Sequence, residues 1–237
     1  MSRLAMSFRP AALRPGAAAA LGAPAIAMGA TFLAFGAAVR EGGLSLPWAL
    51  GAALLVYGMP GQLILLQFAG AGAAGGVAPA VLGATAANAR FLPMAVALTP
   101  WLGGRAARWL ALPFIAITPW AAAMRALPGL PVPARLPWFL GFALASWSVA
   151  GLATAAGHLL APLLDRALMA ALLFANPLYF ALLLAAGLGQ PASRRAVLGG
   201  VLATPVALLL PPAWGLLGAG LLGGTAAFLL GLRRARR

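Results

Sequence analysis

Cysteine is absent from the 237 residues, so disulfides and thiolate chemistry are excluded. Acid is nearly absent as well: Glu41 and Asp165 are the only carboxylates, set against sixteen arginines, no lysine and the single histidine His158. With no pair of carboxylates inside any one helix, two-carboxylate hydrolysis has no candidates. A lone histidine does not make a metal site, so neither metal nor cofactor is expected. A P-loop is also missing, which removes self-powered ATP hydrolysis. No nucleophile motif supports a Ser/His/Asp triad, so the chain does not read as an enzyme. Charge in general is scarce, at 8% of residues, where a soluble domain carries about 25%. A water-soluble fold of this length could not cover its surface with so few ionisable groups. Alternating apolar and polar segments of about ten residues are lacking too, which argues against a membrane β-barrel.

What is present is 63% hydrophobic residues, arranged in continuous Ala/Leu-rich runs. A helix needs roughly 20 apolar residues to cross a hydrocarbon core of about 30 Å. Runs of that kind lie at 17–39, 48–69, 77–102, 110–127, 138–160, 167–188, 197–210 and 214–232. The fold class that follows is an all-α polytopic membrane helix bundle of about seven or eight transmembrane segments. It reads as a single integral membrane domain over residues 1–237, with a basic tail at 1–16, a Pro-rich connection at 128–137 and a basic tail at 233–237. The first run is longer than a signal-peptide core and Arg40-Glu41 follows it, so it reads as a retained helix.

The arginines are scattered between runs, as membrane topology requires, and this excludes a nucleic-acid partner in favour of membrane lipid. The terminal Arg233-Arg234-Ala235-Arg236-Arg237 places the C-terminus in the cytoplasm, in a bacterial inner membrane. The side of the N-terminus depends on whether the Pro-broken run at 110–127 crosses. The charge rule supports both schemes equally.

Two places in the runs invite a helix to open. Tyr57-Gly58-Met59-Pro60-Gly61-Gln62 puts Gly58, Pro60 and Gly61 into the second run, where they loosen the helix. Asn176-Pro177, with Tyr179 nearby, sits in the corresponding place of a later run. If both open, the two halves form an inverted repeat of the kind transporters use, with freed N–H and C=O groups available to a small zwitterion. A Pro kink that only shapes packing is the competing reading at each.

Arg90, with Asn88 two residues before it, lies in the middle of the third run. An arginine at the bilayer centre costs about 2.5–3.5 kcal/mol on insertion scales. Its position therefore points to the protein interior, where a guanidinium can hold a carboxylate by two parallel hydrogen bonds. The alternative is a structural arginine bonded to helix carbonyls. Ser146-Trp147-Ser148 and His158 read as structural, Glu41 and Asp165 as loop charges, and Gly220 with Gly224 as a GxxxG packing face.

Several of these segments together resemble the AzlC family. Tyr57 and Gln62 match its second-helix pattern, with Gly58 and Leu63 at positions where the family has Ala and Phe. Asn88 and Arg90 match its third-helix pattern, while Phe91 stands for the family's His and Met94 for its Tyr. Gly141-Phe142-Ala143 and Ser146-Trp147-Ser148 follow in order. Thr118-Pro119-Trp120 stands where some relatives carry Thr-Asp-Glu, so both acids are gone. The resemblance implies a subunit of a gradient-driven secondary transporter, exporting branched-chain or other small hydrophobic amino acids. It also implies a small AzlD-type membrane partner. Arg90, Asn88, Tyr57, Gln62, Asn176 and Tyr179 are the expected substrate-binding residues. A non-transporting membrane scaffold or assembly subunit is the alternative.

Overall fold

The computed structural model describes residues 10–69, 76–210 and 212–235. Arg3, Arg9, Arg236 and Arg237 lie outside the described residues. Among the described residues every element is helical, as the apolar runs require. Twelve α-helices follow in chain order. They are α1 Leu13–Ala20, α2 Ala23–Glu41, α3 Leu46–Gly51, α4 Met59–Ala69, α5 Val77–Asn88 and α6 Phe91–Leu102, then α7 Arg105–Ala111, α8 Ile117–Ala126, α9 Val132–Leu160, α10 Arg166–Gly187, α11 Pro191–Leu209 and α12 Pro212–Ala235.

Helix α9 is the spine. Its 29 residues span about 43 Å at about 1.5 Å per residue, and α1 and α2 both lie along it. The α2–α9 crossing is a backbone-to-backbone approach. A Cβ at Gly36 would collide with the Thr154 carbonyl, and one at Gly157 with the Leu33 carbonyl. In lipid no hydrophobic force pulls helices together, so dispersion between closely approaching backbones supplies the contact. Two apolar clusters flank the spine. One joins Phe139 and Phe142 of α9 to Leu98 of α6 and Ala123 of α8. The other joins Phe32 and Phe35 of α2 to Ala53, Tyr57 and Ala150.

Several helix ends are tied by specific bonds. The Ser45 hydroxyl accepts from Trp48 N–H (3.4 Å) to start α3, and Asp165 Oδ1 accepts from Leu168 N–H (2.7 Å) to start α10. Asp165 is therefore a helix cap and not a loose loop charge. The buried His158 donates from Nε2 to the Leu44 carbonyl, 3.0 Å away, and pins the α2–α3 connection to the spine.

The sequence and the structure divide the chain differently in four places. The tail expected over residues 1–16 already contains the start of α1, where Gly16 is buried. The Pro-rich connection shrinks, because Pro133 and Pro137 lie inside α9. Pro133 falls in the first turn, where its missing N–H leaves no bond unmade. Among the described residues four helices (α2, α9, α10 and α11) are long and apolar enough to cross a membrane, and the bent pair α5–α6, taken as one span, makes a fifth. The apolar runs outnumber these spans because the last run contributes only the shorter apolar stretch Gly218–Leu232, the run at 48–69 is split in two, and the run at 110–127 falls into short pieces. The longest of those pieces, the ten residues of α8, reaches about 15 Å, half of a hydrocarbon core of about 30 Å.

The fourth difference concerns the repeat. Helix α10 runs unbroken through Asn176 and Pro177 to Gly187, so the second helix break is absent. Proline alone removes one N–H and kinks a helix. At the first break, Gly61 follows the proline directly and Gly58 stands two residues before it, and together they let the backbone open; at Pro177 the neighbours are Asn176 and Leu178. The inverted-repeat expectation loses its second half.

Candidate functional site

The run at 48–69 opens in a graded way. After α3 the backbone widens to a π-helix over Ala52–Val56, then Tyr57 takes a left-handed conformation (φ 41°, ψ 35°) and α4 starts at Met59. A left-handed non-glycine residue costs about 1–2 kcal/mol, and Tyr57 is the only one with positive φ among the described residues. The ring is held against Phe32, with centroids 6.4 Å apart and planes at 27°. Opening the helix orphans carbonyls, and two side chains recover them. Gln62 Nε2 donates to Ala53 O at 3.4 Å, and Trp147 Nε1 donates to Leu54 O at 3.0 Å. Of the Ser146-Trp147-Ser148 triplet, it is thus the indole that bonds. Ser148 is exposed, and the buried Ser146 hydroxyl has no partner among the described residues.

A second opening faces the first. Helices α5 and α6 meet at 42°, with Ala89 and Arg90 at the bend. Arg90 therefore sits at a break between helices and not within a continuous one. No glycine stands at this bend, but Pro93 in the first turn of α6 has no N–H to give the Ala89 carbonyl, a signal that was present in the sequence. Asn88 locks the two openings together. A Cβ on Gly58 would fall 2.5 Å from Asn88 Oδ1, and one on Gly61 2.5 Å from Asn88 Nδ2. Both glycines are needed for the amide to lie against the start of α4. A third opening is the extended pair Ile115–Ala116 before α8.

Where the three openings meet, a cavity of about 60 Å³ is lined by Tyr57, Gly58, Arg90, Thr31, Thr118 and Phe180, among others. That is room for a few water-sized groups, at about 10–15 Å³ each. The half-buried Arg90 lies over the Phe91 ring, 5.5 Å from its centroid, and its Nε is buried without a partner among the described residues. The Tyr57 hydroxyl is likewise buried and unpartnered. Helices α4, α6 and α8 all begin at residues of the wall: Met59, Phe91 and Ile117. Three positive helix ends and one guanidinium, with no carboxylate in the wall, make the cavity a place for an anion.

The residues expected from sequence divide into three groups. Tyr57, Gly58 and Arg90 line the cavity. Asn88, Gln62 and Gly61 stand behind it as supports, and Pro60 falls in the first turn of α4. Pro177 is exposed on an unbroken helix, and of Asn176 only the helical backbone is described. Tyr179 is half-buried and packs edge-on against Phe180 at 5.3 Å, and it is Phe180 that reaches the wall. Thr31, Phe32 and Thr118 were missed. Thr31 is the one hydroxyl in the run at 17–39, which was a usable signal. Phe32 had none.

The fold and the cavity define a polytopic helical membrane protein with a chamber lined by a guanidinium and helix N-termini, an architecture suited to membrane transport. A model of the AzlC family, described as AzlC protein, matches residues 24–164, and the chain belongs to that family. The family is related to branched-chain amino acid transport. No curated protein and no solved structure matches the chain. The matched residues supply every cavity-lining side chain except Phe180.

Proposed function

We propose that the chain is the substrate-carrying subunit of a secondary transporter that exports branched-chain or other small hydrophobic amino acids across a bacterial inner membrane. The observation that carries this reading is Arg90, a guanidinium with a free buried Nε at a cavity where three helices begin. Arg90 holds the substrate carboxylate, and Asn88 and Gln62 hold the broken helix in place around it. The π-helix and α5 end at the same place, so their terminal carbonyls, with Thr31, Thr118 and the Tyr57 hydroxyl, receive the ammonium group. Met28, Phe32, Phe91 and Ile117 form an apolar wall for the side chain.

One methylene in such a wall is worth about 1–3 kcal/mol, so Leu, Ile, Val and Met are separated only shallowly. The space available takes a carboxylate, and a whole branched-chain amino acid enters when Phe180 and Phe32 swing aside. With Pro119 and Trp120 where some relatives carry acids, coupling does not pass through a carboxylate at that position. The exposed faces of α10 and α11 are where a small AzlD-type subunit packs, with the C-terminus in the cytoplasm. The test is amino-acid efflux from dipeptide-loaded cells, with and without the chain and its small partner. Export that depends on the chain and on Arg90 supports the reading. If Arg90 variants lower only the amount of protein in the membrane and leave export per molecule unchanged, the scaffold reading takes its place.

A further inference from the structure

Arg194 and Arg195 lie near the start of α11, far along the chain from the cavity. Helices α11 and α12 pack as a hairpin, and Arg195 lies over Gly231 near the end of α12, with a guanidinium nitrogen 3.2 Å from where a Cβ would stand. Two clefts flank this side chain. One, of about 350 Å³, is lined by Ala192, Ala196, Gly224, Ala227, Phe228 and Gly231 together with Arg195 itself. The other, of about 250 Å³, lies between Pro191, Leu198 and Leu230, and Arg194 and Arg195 both reach it. Arg195 Nε is buried and bonds to nothing among the described residues. The surrounding apolar side chains face outward, with Leu198 60% and Phe228 65% exposed.

Among the described residues the chain offers this pair little acid: of its two carboxylates, Asp165 caps α10 and Glu41 lies at the end of α2. A cation pair at the end of a membrane hairpin, with an apolar cleft on either side of one guanidinium, matches a headgroup phosphate with its acyl chains. We propose that the α11–α12 hairpin binds an anionic phospholipid, with Arg195 and Arg194 on the phosphate and the acyl chains in the two clefts. Charge complementarity selects the lipid class, and the clefts distinguish a lipid from free phosphate. This site is independent of the Arg90 cavity.

The experiment uses the full chain purified in mild detergent, with bound ligand read by native mass spectrometry. Phosphatidylglycerol, phosphatidylcholine and glycerol 3-phosphate are the probes. The wild-type chain is expected to retain phosphatidylglycerol at least about fivefold more than phosphatidylcholine, as about 1 kcal/mol per arginine implies. Retention should fall about fivefold in Arg195→Gln and less in Arg194→Gln, and should be unchanged in Arg135→Gln, an arginine already occupied by Leu130 O and the Trp101 ring. If Arg195→Gln fails to fold, Arg195→Lys and the salt dependence of wild-type retention give the same reading, since retention by charge weakens with ionic strength. Equal retention of the two lipids by the wild-type chain overturns the proposal. Unchanged phosphatidylglycerol retention in Arg195→Gln does so too. Displacement of the lipid by an equal concentration of glycerol 3-phosphate makes it a free-phosphate site and also overturns it.

Discussion

The first two-thirds of the chain and the last third solve the problem of the bilayer in different ways. Between α2 and α9 the helices are interrupted; side chains take up two of the freed carbonyls, Gln62 on Ala53 O and Trp147 on Leu54 O, and Asn88 packs against Gly58 and Gly61. From α10 onward the helices are continuous, and α10 and α11 turn most of their surface outward. Half of the apolar window of α2 is buried, against 6% for α10 and for α11. Continuity satisfies the backbone within each helix and demands nothing of the neighbours. Interruption demands a partner for every freed group, and so it creates a site. The difference teaches where the chemistry lies. One arginine of the first region accordingly faces a cavity, while the Arg194–Arg195 pair of the second lies beside open clefts.

The comparison breaks most sharply at Arg90. Arg90→Ala removes a charge-assisted contact worth about 1.5–3 kcal/mol, so export per molecule should fall roughly 10- to 100-fold at unchanged membrane level. Arg90→Lys should recover little of it, because an ammonium lacks the planar fork. Efflux normalised to protein amount checks both, and wild-type export by Arg90→Ala would remove the carboxylate role.

A glycine pair makes the next contrast. Gly61→Ala puts a methyl group into the Asn88 amide and should destabilise the protein by about 1–3 kcal/mol. Gly220→Ala, with nothing within 4 Å, should leave stability near wild type. Thermal unfolding in detergent measures both, and adding Asn88→Ala to Gly61→Ala should recover much of the loss by vacating the contested space.

Trp147→Phe keeps the ring but leaves Leu54 O without its donor, a loss of about 1–2 kcal/mol read in the same assay. The smallest effect is expected at Pro177→Ala. Alanine restores the helix N–H that proline lacks and gives up proline's stiffening of the unfolded chain, so in an already continuous α10 stability should hold or rise and export should stay close to wild type. A strong export defect there would restore a functional role to the second proline site.

The GxxxG face shows how packing escapes a sequence pattern. Gly220 and Gly224 have the right spacing, yet both are exposed. Contact between α11 and α12 runs through Gly199 and Gly223, where a Cβ on Gly199 would fall 2.5 Å from the Gly223 carbonyl. Spacing fixes which residues share a face, while the neighbouring helix decides which face is used. The same holds for the bend at Ala89–Arg90. Pro93 permits a break there by withholding an N–H from the Ala89 carbonyl, and the packing of α5 and α6 decides how the two pieces lie.

Composition by itself determined the membrane bundle. A chain with 8% charged residues and 63% hydrophobic ones cannot wet its own surface, and its continuous apolar runs exclude a barrel. The order of residues also determined the opening around Gly58, Pro60 and Gly61, because backbone propensity is local, and it marked Arg90 as misplaced, because a charge is costly at mid-membrane depth. The tertiary structure decided what the sequence could not. It joined the three openings into one cavity, kept α10 whole despite Pro177, and brought Phe180 to the wall from a helix outside the family match. Those outcomes depend on which backbones lie close enough to share space, and that is a property of pairs of helices that no single run of residues contains.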